Sequence, residues 1–414
     1  MQVIKSEVCV LGAGPGGATA ALSLAKEGIP SLLIDKASFP RDKICGDALS
    51  GKVVEVLKKI NPDFITELAS SSIQVDSWGV TFVAPNLQYL RLPFISERKK
   101  ESLPPGFISK RMDFDNFLVE KVKQEKLISF LPSTHITSYF KENENWILRN
   151  GDNSIEIHCS LLIVADGANS YFARHHANIP VERNHYCAGL RAYYKGVQGM
   201  DHENFIELHF LKDFLPGYFW IFPLPNGEAN VGVGMRSDVV AEKKMNLKEE
   251  MIRIIEQYPQ LKERFKNAEM VDKIRGYNLP LGSKKRKLSG DGYLLLGDAA
   301  SLIDPFTGEG IGNAMLSAMA ATKILITTND EKKYDAKTLL QYDQEVYRRL
   351  WPELKVSYRM QQLVNFPWLF NLVVKKANKS KLLRDTISGM FEDIELRSRL
   401  KNPMFYIRLL FTNG

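Results

Sequence analysis

Apolar and polar positions alternate with a period of two through "LPGYFWIFPLPNGEANVGVGM", residues 215–235. Successive side chains of a strand point to opposite faces. Tyr218, Trp220 and Phe222 therefore fall on one face, and Phe219 and Ile221 on the other. Pro225, Asn226 and Gly227 supply a turn, and "EANVGVGM" runs back as a second strand. The pattern predicts a hairpin that carries three large rings in a row. Core packing is the ordinary reason for such a row, and a wall facing a ligand is the other.

The chain opens on a different pattern, "VCVLGAGPGGATAALSLAKEGIPSLLIDKA". The continuous apolar run at residues 8–11 predicts a strand buried on both faces. A helix is predicted at residues 18–26, then a second strand ending at Asp35. "SLLIVADGANS" predicts a buried strand that breaks at Asp166-Gly167, and residues 293–296 predict another that ends at Gly297-Asp298. A proline- and glycine-rich loop and a helix of small residues follow. Between these, "CAGLRAYYKGV", "NFIELHFL", "GYFWIFPLP" and "EANVGVGM" are joined by short turns and predict an antiparallel sheet. "NLKEEMIRIIEQYPQLKERF" predicts one amphipathic helix capped by Asn246. After Asp330 the chain reads as helices, with "NFPWLFNLVVKKANKSKLL" and "NPMFYIRLLF" as apolar–basic pieces.

These elements predict an α/β fold, α+β overall. Residues 1–72, 108–175 and 275–328 form a discontinuous nucleotide-binding domain. Residues 73–107 and 176–274 form an antiparallel-sheet substrate domain, and residues 329–414 a helical C-terminal region. A length of 414 residues suits two such units.

Composition narrows the class. With 44% hydrophobic and 25% charged residues the chain is globular. No apolar run is long enough to span a bilayer, and the opening residues lack the zones of a signal peptide. The expectation is a cytoplasmic protein, or one docked on the cytosolic face of a membrane. The four cysteines, Cys9, Cys45, Cys159 and Cys187, form no C-x-x-C pair and have no histidine at zinc spacing. Reduced thiols and no metal are expected. The net charge of +7 suits an anionic surface or cofactor. It looks spread along the chain and comes with no nucleic-acid-binding motif, so no nucleic-acid partner is predicted.

Gly12, Gly14 and Gly17 fit G-x-G-x-x-G between a strand and a helix. The first glycine permits a tight turn, the second lets a pyrophosphate approach the backbone, and the third lets helix and strand pack closely. The helix N-terminus then offers unpaired N–H groups to phosphate. Asp35 ends the next strand, where a carboxylate can accept from ribose hydroxyls. This unit binds the ADP moiety of FAD or of NAD(P). The later segments choose FAD. Asp298 stands where a carboxylate can hold a ribityl hydroxyl, and residues 308–312 offer N–H groups where a reduced flavin turns negative.

With "GAGPGG", "ADGANS" and "GDAASLIDPFTGEGI" in this order, the chain resembles the FAD-dependent oxidoreductases of the para-hydroxybenzoate-hydroxylase fold, whose FAD domain is of the glutathione-reductase type. Within them it is most similar to the geranylgeranyl reductase family. "FPRDKICGDALS", "PGYFWIFPLPNG" and "TGEGIGNAM" carry that narrower match. The resemblance implies non-covalent FAD. It implies Pro15 and Gly16 at the pyrophosphate, Asp35 and Lys36 at the ribose, and Ile136 against adenine. Asp166, Asp298, Gly308, Gly310 and Ile311 would surround the rest of the cofactor, with Cys45, Gly46 and Ala48 close to the flavin. Arg111 would hold the phosphate or ribityl side, or simply pair with Asp113 or Asp115. Where the family commonly has a second glycine after Cys-Gly, this chain has Asp47, a carboxylate able to adjust proton supply.

The activity implied is reduction of carbon–carbon double bonds of an apolar, isoprenoid-like substrate by hydride from the flavin. NAD(P)H or another reductant would visit transiently. Cys45 would be the catalytic proton donor, alone or through a hydrogen-bond chain. Tyr218, Trp220 and Phe222 would line the substrate pocket and face developing positive charge. The alternatives are a hydroxylase, a halogenase with Lys43 as its lysine, and a flavoprotein that senses redox state or carries electrons. Residues 363–374 hold Phe366, Trp368 and Phe370, and Lys375, Lys376, Lys379 and Lys381 follow. That composition predicts an interfacial membrane segment or a C-terminal helix packed on the flavin domain.

Overall fold

The computed structural model describes residues 1–95, 103–328 and 333–392. "NPMFYIRLLF" lies outside the described residues. The first sheet runs in the order Ile128–Leu131, Ser31–Ile34, Gln2–Leu11, Ile155–Val164, Tyr293–Leu295 and Ser289–Gly290. The first five of these strands are parallel. A hairpin of Ile136–Glu142 and Asn145–Asn150 continues off Ile155–Val164. Because neighbouring strands point the same way, Gly12, Asp35, Asp166 and Asp298 all emerge at one edge, where open parallel sheets bind ligands. The predicted helix after the glycine loop is Pro15–Lys26. It packs against Ile311–Thr328 through small residues; a Cβ at Gly16 would lie 3.3 Å from the Ala314 Cβ.

The second sheet runs Glu269–Met270, Tyr186–Lys195, Glu228–Arg236, Tyr218–Pro223, Ile206–His209, Gly79–Val83 and Tyr89–Pro93. The four strands expected to form an antiparallel sheet do so, but Ile206–His209 pairs in parallel with Gly79–Val83. The chain between these strands traverses the first domain and re-enters in the same direction. Strand Arg275–Pro280 pairs with Tyr186–Lys195, so the boundary expected at residue 275 moves beyond Pro280. Gln74–Ser77 joins Gly106–Ser109 and Ala48–Leu49 in a small third sheet, apart from the large one.

The alternation read from the hairpin sorts the two faces of this sheet. Phe219, Ile221, Val231 and Val233 pack with Leu247, Met251 and Ile254. Trp220 and Phe222 face a second cluster with Phe82, Phe210 and Phe306. The single helix expected after Asn246 is two, Leu247–Gln257 and Pro259–Phe265. Pro259 disfavours helical geometry at the preceding residue, and Tyr258 stands at φ −87°, ψ 112°. Asn246 caps the first helix by accepting from the N–H groups of Lys248 and Glu249.

Of the C-terminal helices, Ala336–Leu363 buries Leu339, Tyr342, Val346 and Leu350 in the core of the flavin domain. Pro367–Ala377 instead packs Val374 and Ala377 on the cluster of the second sheet. The alternative expected for residues 363–374, a helix packed on the flavin domain, is therefore not met, because Pro367–Ala377 packs on the cluster of the second sheet. No helix among the described residues is long and apolar enough to cross a membrane.

Candidate functional site

The three glycines differ in what surrounds them. Gly12 has φ +101°, and a Cβ there would lie 2.5 Å from the Ala165 carbonyl oxygen. At Gly17 it would lie 1.7 Å from the Gly12 oxygen. At Gly14 it would meet only Arg41 Nη2 at 3.6 Å and Arg111 Nη2 at 4.0 Å. Two of the glycines thus close the turn, and the middle one leaves space between two guanidinium groups, as an anion requires. Gly17→Ala is expected to abolish folded protein. Gly14→Ala is expected to lose flavin and to melt as the flavin-free wild type does. Thermal melts and flavin absorbance per chain check both.

Asp35 accepts from Ala13 N at 2.7 Å and Ala37 N at 2.8 Å. Its carbonyl takes Thr134 N, which ties down the loop before Ile136. Lys36 is exposed. Asp166 is half-buried, with Oδ1 itself enclosed and unpartnered among the described residues. Burial pushes its carboxyl up to about 6, against hydrogen bonding from Ser170. Asp35, Lys36, Ile136 and Asp166 stand along the strand edge and off the wall of the central cavity described below.

Arg111 starts helix Arg111–Gln124 and pairs through two hydrogen bonds with Asp115, at 2.6 and 2.7 Å. The expected pairing with an acid is met by Asp115, and Arg111 also lines the cavity. Arg41, which the sequence reading missed, reaches the same carboxylate at 2.8 Å. Burial alone would raise the Asp115 carboxyl, but Arg111 and Arg41 outweigh it and hold it below the usual range. One carboxylate therefore orients two guanidinium groups at Gly14.

Asp298 pairs with Lys43 at 3.3 Å. That places the halogenase candidate lysine beside the carboxylate expected to hold a ribityl hydroxyl. The N–H groups of Gly308 and Gly312 are taken within the loop, by the Asp304 carbonyl and by Glu309 Oε1. Those of Gly310 and Ile311 keep no partner among the described residues, and both residues line the cavity. The sequence-based offer of N–H groups across residues 308–312 thus narrows to these two.

The aromatic row bridges the cofactor segments. Tyr218 donates to the Thr307 carbonyl at 3.4 Å. At the other end, a Cβ on Gly46 would lie 3.0 Å from the Phe222 ring. Trp220 stands between, with ring centroids 6.0 Å from Tyr218 and 6.3 Å from Phe222. On the next strand Gly234, Gly232 and Asn230 pair with these three residues in turn. A Cβ at Gly232 would lie 2.2 Å from Trp220, so the glycine lets the indole lie against the sheet.

Beside the row lies a polar network that sequence reasoning missed. Trp220 Nε1 donates to Asn230 Oδ1 at 2.8 Å. Asn230 Nδ2 donates to the Cys45 carbonyl at 2.7 Å and to Asp47 Oδ2 at 2.8 Å. Tyr193 Oη donates to the same carboxylate at 2.8 Å. The Arg191 guanidinium lies 3.9 Å over the Tyr193 ring and pairs with Asp42 and Asp272. A polar residue amid small and apolar neighbours, as Asn230 is in "EANVGVGM", was the available signal. Asp47 has φ +69°, a left-handed conformation that favours glycine and tolerates Asp best among the rest. The same geometry explains both the family's glycine and this chain's departure from it.

Burial pushes the Asp47 carboxyl up to about 6, against the hydrogen bonds of Asn230 and Tyr193. A folded-state pKa above the unfolded value contributes stability that is full below about pH 4 and is lost as pH rises through about 6. At about two pKa units, the loss is about 3 kcal/mol. Asp166 is shifted to the same value. Asp47→Asn is therefore expected to lessen the fall in stability between pH 4 and 6, as read from thermal melts across that range. Burial also raises the Cys45 thiol, and Arg111 offsets this only in part.

These parts share one cavity of about 640 Å³, from Gly14, Pro15 and Arg111 past Cys45, Gly46, Asp47 and Ala48 to Tyr218, Trp220 and Phe222. The open Gly14, the orphaned Asp166 oxygen and the unpartnered N–H groups of Gly310 and Ile311 fit a dinucleotide along the strand edge.

Comparison with known proteins agrees with this geometry. The FAD binding domain family matches residues 5–355. Over 351 residues, 83% of each chain, this protein is 28% identical to the digeranylgeranylglycerophospholipid reductase of Thermoplasma volcanium. It is 27% identical to the menaquinone reductase of Mycobacterium tuberculosis, over 88% of this chain and 85% of that one. A geranylgeranyl bacteriochlorophyll reductase-like protein from Thermoplasma acidophilum shares the fold with a TM-score of 0.79 at 23% identity, over 97% of this chain and 99% of that one. With the family match over most of its length and the nucleotide segments gathered on one strand edge, this chain belongs to the FAD binding domain family and is an FAD-dependent oxidoreductase.

Proposed function

We propose that the protein reduces carbon–carbon double bonds in an apolar isoprenoid chain. The observation that carries this reading is the single cavity that joins the cofactor edge, the Cys45 thiol and the aromatic row. The reductase names of the sequence relatives support it. An isolated alkene has no carbonyl to activate it. Protonation at the less substituted carbon of a trisubstituted alkene leaves a tertiary cation. Bound FAD, once reduced, supplies the hydride that completes the reduction, and NAD(P)H or another donor recharges it.

The chain's own residues supply the rest. Burial keeps the Cys45 thiol protonated at neutral pH, so it has a proton to give. Arg111, whose charge already acts on the thiol, stabilises the thiolate left behind. The faces of Tyr218, Trp220 and Phe222 favour positive charge on the substrate by about 0.5–2 kcal/mol each. The apolar wall admits a long chain and keeps water from the cation. Incubation of the reduced holoenzyme with a polyunsaturated isoprenoid lipid, followed by mass spectrometry, tests the reading. The expected product gains two hydrogens per double bond. Addition of oxygen or halogen, or no product with any isoprenoid chain, would overturn it.

A further inference from the structure

Counted by position, the chain's positive excess is concentrated rather than spread. Residues 354–384 carry seven lysines and arginines and no aspartate or glutamate. That equals the net charge of +7 of the whole chain, so all other residues together are balanced. The same segment shows the largest exposed rings. Trp368 is 66% exposed, Phe366 52% and Leu363 44%.

These side chains do not wait for an internal partner. Helix Pro367–Ala377 turns Phe370, Val374 and Ala377 inward, with Phe370 centred 4.9 Å from the Phe210 ring. Trp368 and Lys375 lie on the other side and are exposed. The neighbouring hairpin loop adds exposed Leu87 and Tyr89. That loop is tied to the helix by Asn378 Nδ2 donating to the Tyr89 carbonyl at 2.9 Å and Asn86 N donating to Asn371 Oδ1 at 3.1 Å. Apolar rings and basic side chains are thus held on one surface. Soluble surfaces seldom group exposed apolar residues in this way.

We propose that this surface docks the protein on an anionic lipid bilayer. Trp368 enters the headgroup region, where rings with one polar end reside, Phe366 adds an apolar anchor, and Lys375, Lys379 and Lys381 face the lipid charges. The helix has 11 residues, so it lies along the interface and does not cross it. Ser357 and Met360, on the helix leading to Leu363, line the cavity, so docking here brings the bilayer to the cavity's end of the molecule. The proposal does not depend on which reaction the cavity supports.

Flotation of the holoenzyme with phosphatidylcholine vesicles, with and without phosphatidylglycerol, tests it. Binding to the anionic vesicles alone at low salt, reversed at high salt, is expected. Lys375→Glu/Lys379→Glu should lower partitioning at least about 25-fold, since each basic residue near an anionic leaflet contributes about fivefold. Phe366→Ser/Trp368→Ser should weaken it with no change in melting temperature or flavin content. Absence of binding at low salt would overturn the proposal, as would equal binding by the variants. A concentration-dependent dimer lost in Phe366→Ser/Trp368→Ser, without vesicle binding, would assign the surface to a second copy and also overturn it.

Discussion

Replacing Cys45 with alanine is expected to leave FAD bound and to slow alkene reduction about 10²–10⁴-fold, the usual worth of a positioned acid. The thiol stands in the wall between the cofactor edge and the aromatic row. Burial raises its pKa, and the charge of the Arg111 guanidinium opposes that rise. Proton loss from a buried thiol is costly unless a cation takes up the charge, and Arg111 is that cation. Its own charge is secure, because the paired Asp115 carboxylate opposes the effect of burial. The measurement is reoxidation of reduced flavin by substrate without oxygen. Cys45→Ser, which keeps a weaker acid at the same place, should fall between wild type and alanine. Wild-type reoxidation in a flavin-loaded Cys45→Ala protein would remove the thiol from the reaction.

Trp220→Ala is expected to cost about 3–5 kcal/mol of stability and to weaken long-chain substrates more than short ones. Sequence alternation posed wall and core as alternatives, and the structure makes Trp220 both. Its indole is 7% exposed within the second sheet's cluster, and it also lines the cavity. Alanine leaves a void over Gly232 and strips Asn230 of its donor. Asn230 holds the Cys45 carbonyl and Asp47, so part of the loss passes to the segment that carries Cys45. Trp220→Phe separates the effects. It keeps a ring on the wall and loses the indole hydrogen bond, at about 1 kcal/mol, so chain-length preference should survive. Denaturant melts and rates across a series of chain lengths check both variants. Equal rates for long and short chains in Trp220→Ala and wild type would exclude the wall.

Much of the cofactor edge was legible because its signals are local. A glycine that no Cβ can replace is visible as a glycine, and the acid at a strand end is visible by its place in the pattern. Gly12, Gly14, Gly17, Asp35 and Asp298 needed no knowledge of the rest of the chain. The split of Tyr218, Trp220 and Phe222 from Phe219 and Ile221 is equally local, since a strand's side chains must alternate. The break before Pro259 was legible in principle and was missed, because an apolar period running through the proline hid it.

The sequence alone determined the order of elements, the glycine loop, the faces of the hairpin and the Asn246 cap, because backbone geometry and side-chain periodicity are properties of neighbouring residues. Only the tertiary structure decided what those faces meet. Tyr193 reaches Asp47 across 146 positions, Asn230 reaches it across 183, and Lys43 reaches Asp298 across 255. Arg41 meets Arg111 only because Asp115 holds both. The parallel entry of Ile206–His209 beside Gly79–Val83 likewise follows from the path of the chain through another domain. Contacts of this span depend on which strands pair and in what order, and no local period encodes that order. A buried carboxylate near pKa 6 arises only when the sheet closes over Asp47 and removes it from water.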